Sequence, residues 1–135
     1  MSSHHYIGAG APSDRLKEAA DEPGRLETEV AALISHCGLT VVWSHTSEFT
    51  GGGLTSAWIL SESHLVAHYW NEVGRVTVDL HICDYRQSNR VRAERLVRAL
   101  TEYCFAAGSE SRWSEMHLDQ GLDDGAEARS TRSLS

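Results

Sequence analysis

Residues 54–83 decide the fold; they read LTSAWILSESHLVAHYWNEVGRVTVDLHIC. Three runs rich in β-branched and aromatic residues fill this stretch, at Leu54–Leu60, His64–Trp70 and Arg75–Cys83. Such runs are typical of β-strands. The separators are short, and Asn71–Gly74 has the composition of a hairpin turn. The stretch therefore predicts three consecutive antiparallel strands.

The last of these strands has two chemically different faces, because successive side chains of a strand point to opposite sides. One face is apolar and consists of Val76, Val78, Leu80 and Ile82. The other face consists of Thr77, Asp79, His81 and Cys83. A row of hydroxyl, carboxylate, imidazole and thiol groups suits a cleft or a subunit interface better than open water.

The flanking residues predict two helices. From Arg25 to Cys37 apolar residues recur at helical spacing, and Gly38 is a natural stop. Residues 90–107 return to the same period, which predicts a second helix. The inner stripe of that helix is expected to be Val91, Leu96, Val97, Leu100 and Cys104.

Three further strands are predicted, at His4–Ala9, Leu39–Ser44 and Ser111–Leu118, with a loop or short helix over residues 10–24. The resulting order of elements predicts an α+β fold, a two-layer α/β sandwich with a mainly antiparallel sheet and helices on one face. Residues 1–119 are expected to form a single domain. The polar residues 120–135 are expected to be a disordered tail.

Composition excludes several classes of function. The net charge of −7 argues against a nucleic-acid binder. No apolar run approaches the roughly 20 residues of a membrane span, so a cytoplasmic protein is expected. The three cysteines, Cys37, Cys83 and Cys104, are too widely spaced for a zinc knuckle, and the eight histidines are scattered. No metal site is predicted.

A possible backbone cleavage point lies at Glu62-Ser63-His64, where a serine hydroxyl has a histidine beside it. A second histidine, His68, follows after four residues, and Glu72, Asp79 and Cys83 come later. This pattern between Phe49 and Cys83 resembles the bacterial-type S-adenosylmethionine decarboxylases, a family of self-cleaving pyruvoyl enzymes.

The resemblance implies roles for these residues. The chain would cut itself between Glu62 and Ser63, giving fragments 1–62 and 63–135, and Ser63 would become a pyruvoyl group. That group is the family's covalent cofactor, whose carbonyl condenses with the substrate amine and accepts electrons as pyridoxal phosphate does. His68 would be the base of the processing reaction and Thr55 its helper, where serine is usual in the family. Cys83 would donate the proton during decarboxylation.

The resemblance also implies a substrate pocket. Phe49 would stack on adenine, Glu72 would accept hydrogen bonds from the ribose hydroxyls, and Trp70 would line the same pocket. Asp84, in place of the family's usual glycine, keeps open a second substrate class, a basic amino acid such as arginine or ornithine. A third hypothesis is an uncleaved, non-catalytic paralogue with a binding or regulatory role. The family forms dimers, so a homodimer in which two sandwiches make four layers is expected.

Overall fold

The structure is a computed structural model, which describes residues 1–22, 24–108, 111–120 and 127–134. The elements are β1 (Ser2–Gly10), α1 (Asp14–Ala20), α2 (Arg25–His36), β2 (Val41–Glu48), β3 (Leu54–Leu60), β4 (Ser63–Trp70), β5 (Arg75–Cys83), α3 (Arg90–Cys104), β6 (Arg112–Gln120) and β7 (Glu127–Leu134). The predicted α+β sandwich is confirmed.

The strands form one antiparallel sheet in the order β2-β3-β4-β5-β1-β6-β7. The four central elements of the sequence, β2 to β5, pair in chain order, as the short turns between them require. Strand β1 lies between β5 and β6, so the first strand of the chain pairs with two strands that are distant in sequence. This arrangement brings the N-terminal strand beside the end of β5.

The core lies between the sheet and the three helices. The four alternate residues of β5 predicted to be apolar are all at most 1% exposed. Helix α2 buries Leu26, Val30 and Ile34 against this side. Each fully buried aliphatic side chain stabilises the fold by about 1.5–3 kcal/mol, so the helices are held mainly by this apolar layer.

One residue of the predicted stripe of α3 is wrong. Val91 is 61% exposed, and Ala93 takes the buried place in that turn. Ala93, Leu96, Val97 and Leu100 recur at spacings of three, one and three, and this is the face of the helix that meets the sheet. Val91 lies off this face.

The tail also differs from its prediction. Residues 127–134 form strand β7, which pairs with β6 from Trp113↔Leu134 to Gln120↔Glu127. The unpaired backbone of an edge strand accepts another strand whatever its side chains, so polar composition did not indicate this pairing. Residues 121–126 and 135 lie outside the described residues. Within the described parts of the chain, no helix has the length and apolar character needed to cross a membrane.

Candidate functional site

The face of the sheet turned away from the helices, called here the open face, carries the candidate chemistry. Its residues on β5 are Thr77, Asp79, His81 and Cys83, all partly buried. Strand pairing aligns several exposed apolar side chains with them on the same face. These are Ile7, Trp43, Ile59, Trp70 and Met116, each 42–57% exposed. The open face is therefore a mixed surface, apolar at its margins and titratable at its centre.

Ser63 begins β4 with an unusual backbone. Among the described residues other than glycine, it alone has a positive φ, 146°. L-residues avoid this region, and such conformations cost about 1–3 kcal/mol and cluster at functional sites. The peptide bond between Glu62 and Ser63 is thus next to the most strained residue of the strand.

The neighbours of this bond belong to the end of β5. The Cys83 backbone N–H donates to the Glu62 carbonyl oxygen at 2.8 Å. The Ser63 side chain hydrogen-bonds to the Cys83 thiol, and the Ser63 Oγ lies 3.3 Å from His64 Nδ1. A hydroxyl, a backbone carbonyl, an imidazole and a thiol therefore meet at one point, which we call the cleavage group.

The Cys83 thiol is held in its protonated form. Burial raises its pKa, the negative charge of Asp84 raises it further, and the hydrogen bond from Ser63 lowers it. The net result is a raised pKa for the Cys83 thiol. A protonated thiol is a proton donor rather than a nucleophile.

A second set of predicted residues meets elsewhere. Thr55 Oγ1 lies 2.8 Å from His68 Nδ1, and the His68 ring stacks on Trp70 with centroids 5.3 Å apart. Trp70 also lines a cleft of about 360 Å³ together with Phe49 and Glu72. We call these five residues the pocket group.

Glycine is required at the rim of this cleft. Gly51 has φ +104°, and a Cβ there would lie 2.7 Å from Glu72 Oε1. The glycine turn at residues 51–53 can therefore approach the carboxylate of Glu72 closely. This close approach places Glu72 beside the segment that carries Phe49.

The two groups are far apart within one chain. Ser63 pairs with Ile82 and His68 with Thr77, so five residues of extended strand separate them. At about 3.3 Å per residue the distance is about 16 Å. The structure thus brings together the predicted residues as two half-sites and does not join Ser63 to Thr55 and His68.

Asp84 has an internal role that the sequence did not reveal. One carboxylate oxygen lies 3.0 Å from His4 Nε2, and the other accepts the Asn89 backbone N–H at 2.7 Å. His4 is buried and its Nδ1 lies 2.5 Å from Nδ1 of His117. Both oxygens of Asp84 are engaged, so this carboxylate is poorly placed to bind a cationic substrate.

Sequence reasoning also missed a cluster on the open face around Asp79. His5 Nε2 lies 2.8 Å and His64 Nε2 4.0 Å from the same oxygen of Asp79. The ring of His81 is 5.3 Å from His5 and 5.5 Å from His64, centroid to centroid. Burial lowers the pKa of His81, and the neighbouring His5 and His64 lower it further. The signal for this cluster was the register of β1, β4 and β5, which spacing alone does not give.

Known proteins resemble this chain in sequence and in fold. An S-adenosylmethionine decarboxylase proenzyme of Methanococcus aeolicus is 31% identical over 67 residues, which cover 50% of this chain and 57% of that protein. The corresponding proenzyme of Thermotoga petrophila is 34% identical over 67 residues, covering 50% and 52%. The chain thus spans about half the length of these relatives.

A solved structure agrees with the fold. The crystal structure of the adenosylmethionine decarboxylase from Aquifex aeolicus superposes with a TM-score of 0.63 at 21% identity, covering 82% of this chain and 87% of that one. The sequence profile of the S-adenosylmethionine decarboxylase family matches residues 11–112. This match includes both half-sites and most of the sheet, and the chain belongs to the S-adenosylmethionine decarboxylase family.

Proposed function

We propose that this chain is a self-cleaving proenzyme that decarboxylates S-adenosylmethionine, which would yield an aminopropyl donor for polyamine synthesis. The observation that carries the proposal is the cleavage group. It combines a strained Ser63, a Glu62 carbonyl already accepting the Cys83 N–H, and a protonated Cys83 thiol. The cytoplasmic location stays a prediction.

Self-cleavage follows from this arrangement. Attack of the Ser63 hydroxyl on the Glu62 carbonyl puts negative charge on the carbonyl oxygen, and a preorganised N–H donor at 2.8 Å stabilises that charge. The release of backbone strain at Ser63 favours the reaction further. Elimination of the Glu62 carboxylate from the ester, followed by hydrolysis that releases ammonia, would then convert Ser63 to the pyruvoyl group, whose carbonyl would supply the electron acceptor for decarboxylation.

Cys83 fits the later proton transfer. Its thiol contacts the side chain of Ser63, so it lies beside the position that the pyruvoyl group would occupy. Its raised pKa keeps a proton on Sγ, and we propose that this proton goes to the carbon that has lost CO2. The thiol thus acts after cleavage rather than during it.

The pocket group favours an adenosyl substrate over a free amino acid. Phe49 is 56% exposed and Trp70 44% exposed, so both rings are available to a flat heterocycle at the cleft. Glu72 offers a carboxylate for a vicinal diol and attraction for a sulfonium charge. Arginine or ornithine needs no aromatic platform, and Asp84 is already engaged by His4 and Asn89.

A dimer would join the two half-sites. Because about 16 Å of strand separates Ser63 from His68, we propose that Thr55, His68 and the cleft of one copy complete the site at Ser63 of a second copy. A two-fold pairing of open faces presents the same surface from both chains. It would also bury Trp43, which is 57% exposed on that face.

Intact mass tests the cleavage. The wild-type chain should give fragments 1–62 and 63–135, and the larger fragment should lack a free N-terminal amine. Ser63→Ala should stay whole, whereas the neighbouring control Ser61→Ala should cut normally. A wild-type chain that stays whole would support the third hypothesis, a non-catalytic paralogue.

Mixed dimers test the assembly. Ser63→Ala and His68→Ala chains with different tags should each stay whole when expressed alone. When they are coexpressed, the His68→Ala chain should be cut, because its Ser63 meets an intact His68 from the other chain. If that chain remains whole in isolated mixed dimers, the joined site is wrong.

Release of CO2 tests the substrate. S-adenosylmethionine, arginine and ornithine are compared on the cleaved enzyme. Turnover of S-adenosylmethionine alone is expected. Turnover of a basic amino acid alone would replace the adenosyl assignment with the second hypothesis.

A further inference from the structure

We infer that His64 is the base that activates Ser63 for self-cleavage, in a step that precedes and is separate from the role of His68. The inference rests on the proposed function and deepens it. It divides processing into two steps. In the acyl shift the base belongs to the same chain as Ser63, and in the elimination the base belongs to the other half-site.

Position is the first argument. His64 Nδ1 lies 3.3 Å from Ser63 Oγ, whereas His68 of the same chain is about 16 Å away along the strand. A contact of 3.3 Å is longer than the usual hydrogen bond of such a pair, and catalytic hydrogen bonds are often long before the reacting complex forms. The His64 side chain is 39% exposed, so its ring has room to close this gap.

The tautomer of His64 also suits a base for Ser63. Nε2 of His64 faces Asp79 Oδ1 at 4.0 Å, which favours the proton on Nε2 and leaves the Nδ1 lone pair toward the serine. The same carboxylate would stabilise the imidazolium that forms when His64 takes a proton. Asp79 is itself fixed by His5 at 2.8 Å.

The groups around His64 are consistent with this role. Ile59 lies opposite His64 on β3, and the neighbours of His64 on β5 and β1 are Asp79, His81 and His5. His81 has a lowered pKa because of burial, so it stays neutral near neutral pH and does not repel an imidazolium. The Cys83 thiol also contacts Ser63, but its raised pKa keeps it protonated and unable to accept the proton.

The step balances without any added reactant. The proton of the Ser63 hydroxyl passes to His64 Nδ1 as Oγ forms a bond to the Glu62 carbonyl carbon. Negative charge develops on the Glu62 oxygen, which faces the Cys83 N–H. The bond from that carbon to the Ser63 nitrogen then breaks, and the nitrogen takes the proton back from His64. The products are an ester, a free amine and neutral His64.

Hydroxylamine distinguishes the two histidines, because it cuts esters under conditions that spare amides. Purified His64→Ala and His68→Ala chains are incubated with and without hydroxylamine and separated by denaturing electrophoresis. His68→Ala should accumulate the ester and be cut at residue 62 by hydroxylamine. His64→Ala should form ester at least about 100-fold more slowly and stay whole in both conditions.

Controls separate chemistry from folding. Circular dichroism should show both variants folded, and His36→Ala, an exposed histidine on α2, should cut like the wild type. Added imidazole should partly restore cutting to His64→Ala, which a purely structural defect would not allow.

The outcomes separate this inference from the proposed function. Wild-type cutting rates in His64→Ala, or ester accumulation equal to that of His68→Ala, overturn the role of His64 and leave the pyruvoyl function standing. Failure of imidazole to restore any cutting in a folded His64→Ala chain also overturns it. A wild-type chain that neither cuts nor yields to hydroxylamine removes the proposed function itself.

Discussion

Replacing Asp84 with alanine should destabilise the fold without changing the choice of substrate. The carboxylate accepts from His4 and from the backbone N–H of Asn89. The side chain of His4 is 6% exposed and that of Asp84 17%. Removal leaves a buried imidazole nitrogen and the start of α3 without their acceptor.

The expected loss of folding stability in Asp84→Ala follows from these contacts. A hydrogen bond to a charged group contributes about 1.5–3 kcal/mol, and removing one partner of a buried pair costs about 3–5 kcal/mol. Because Asp84 keeps some exposure, we expect the lower end, about 3 kcal/mol. For a chain of this size that corresponds to a fall in Tm of roughly 12 °C.

The assay uses Ser63→Ala as the background, so that one uncut chain unfolds, with urea denaturation at pH 7 and fixed protein concentration. The matched control is Asp119→Ala, an exposed carboxylate that accepts one hydrogen bond from Ser2, and its change should stay within about 0.5 kcal/mol. In the cleavable background, Asp84→Ala should retain the wild-type preference among S-adenosylmethionine, arginine and ornithine. A stability change below about 1 kcal/mol, or a selective loss of turnover of a basic amino acid, would refute the structural role.

Three further outcomes are expected. Cys83→Ala should still be cut, as mass spectrometry would show, but should lose decarboxylation. The decarboxylation rate of the wild type should decline only as the pH rises through the pKa of this thiol, which is raised above its ordinary value. An uncut Cys83→Ala chain would contradict the assignment of Cys83 as the proton donor. Leu80→Ala, at a fully buried position of β5, should lower the free energy of unfolding by about 2–5 kcal/mol, measured in urea; a loss below 1 kcal/mol would mean that the core lies elsewhere. Burial lowers the pKa of His81, so the unfolded chain binds more protons than the folded chain as the pH falls below about 6.5, and the stability of the fold should fall with the pH. His81→Gln should reduce this loss of stability in acid. An unchanged pH dependence of stability in His81→Gln would show that His81 is not its source.

Local patterns predicted much of the fold. The strand ends Leu54 to Leu60 and Arg75 to Cys83 match the structure, because alternation and turn residues act between neighbours in sequence. The position of β1 between β5 and β6 was not predicted, since it depends on pairing between residues that are at least 66 positions apart. Pairing of β7 at the edge of the sheet was missed for a different reason: it pairs with its neighbour β6 through backbone groups, whatever its polar side chains.

The candidate site was predictable as a set of residues and not as an arrangement. Spacing singled out Ser63, His68 and Cys83, and a spacing motif carries no distance between side chains. Strand geometry then separates Ser63 from His68 by about 16 Å. The buried pair of His4 and His117 had no signal in the sequence, because its two strands meet only in the folded sheet.

The proposed division of the site between two chains leads to a final prediction about concentration. If His64 acts within its own chain and His68 acts on the other, an isolated chain can form the ester but cannot complete the elimination. Dilution of freshly refolded protein should therefore slow cutting while the hydroxylamine-sensitive fraction persists, and concentration should restore cutting. The ester is reversible, so strain at Ser63 and the Cys83 N–H must hold a measurable population of it until a partner arrives. A first-order cutting rate that is independent of concentration, measured below the dissociation constant of the dimer, would mean that each chain contains all the groups it needs.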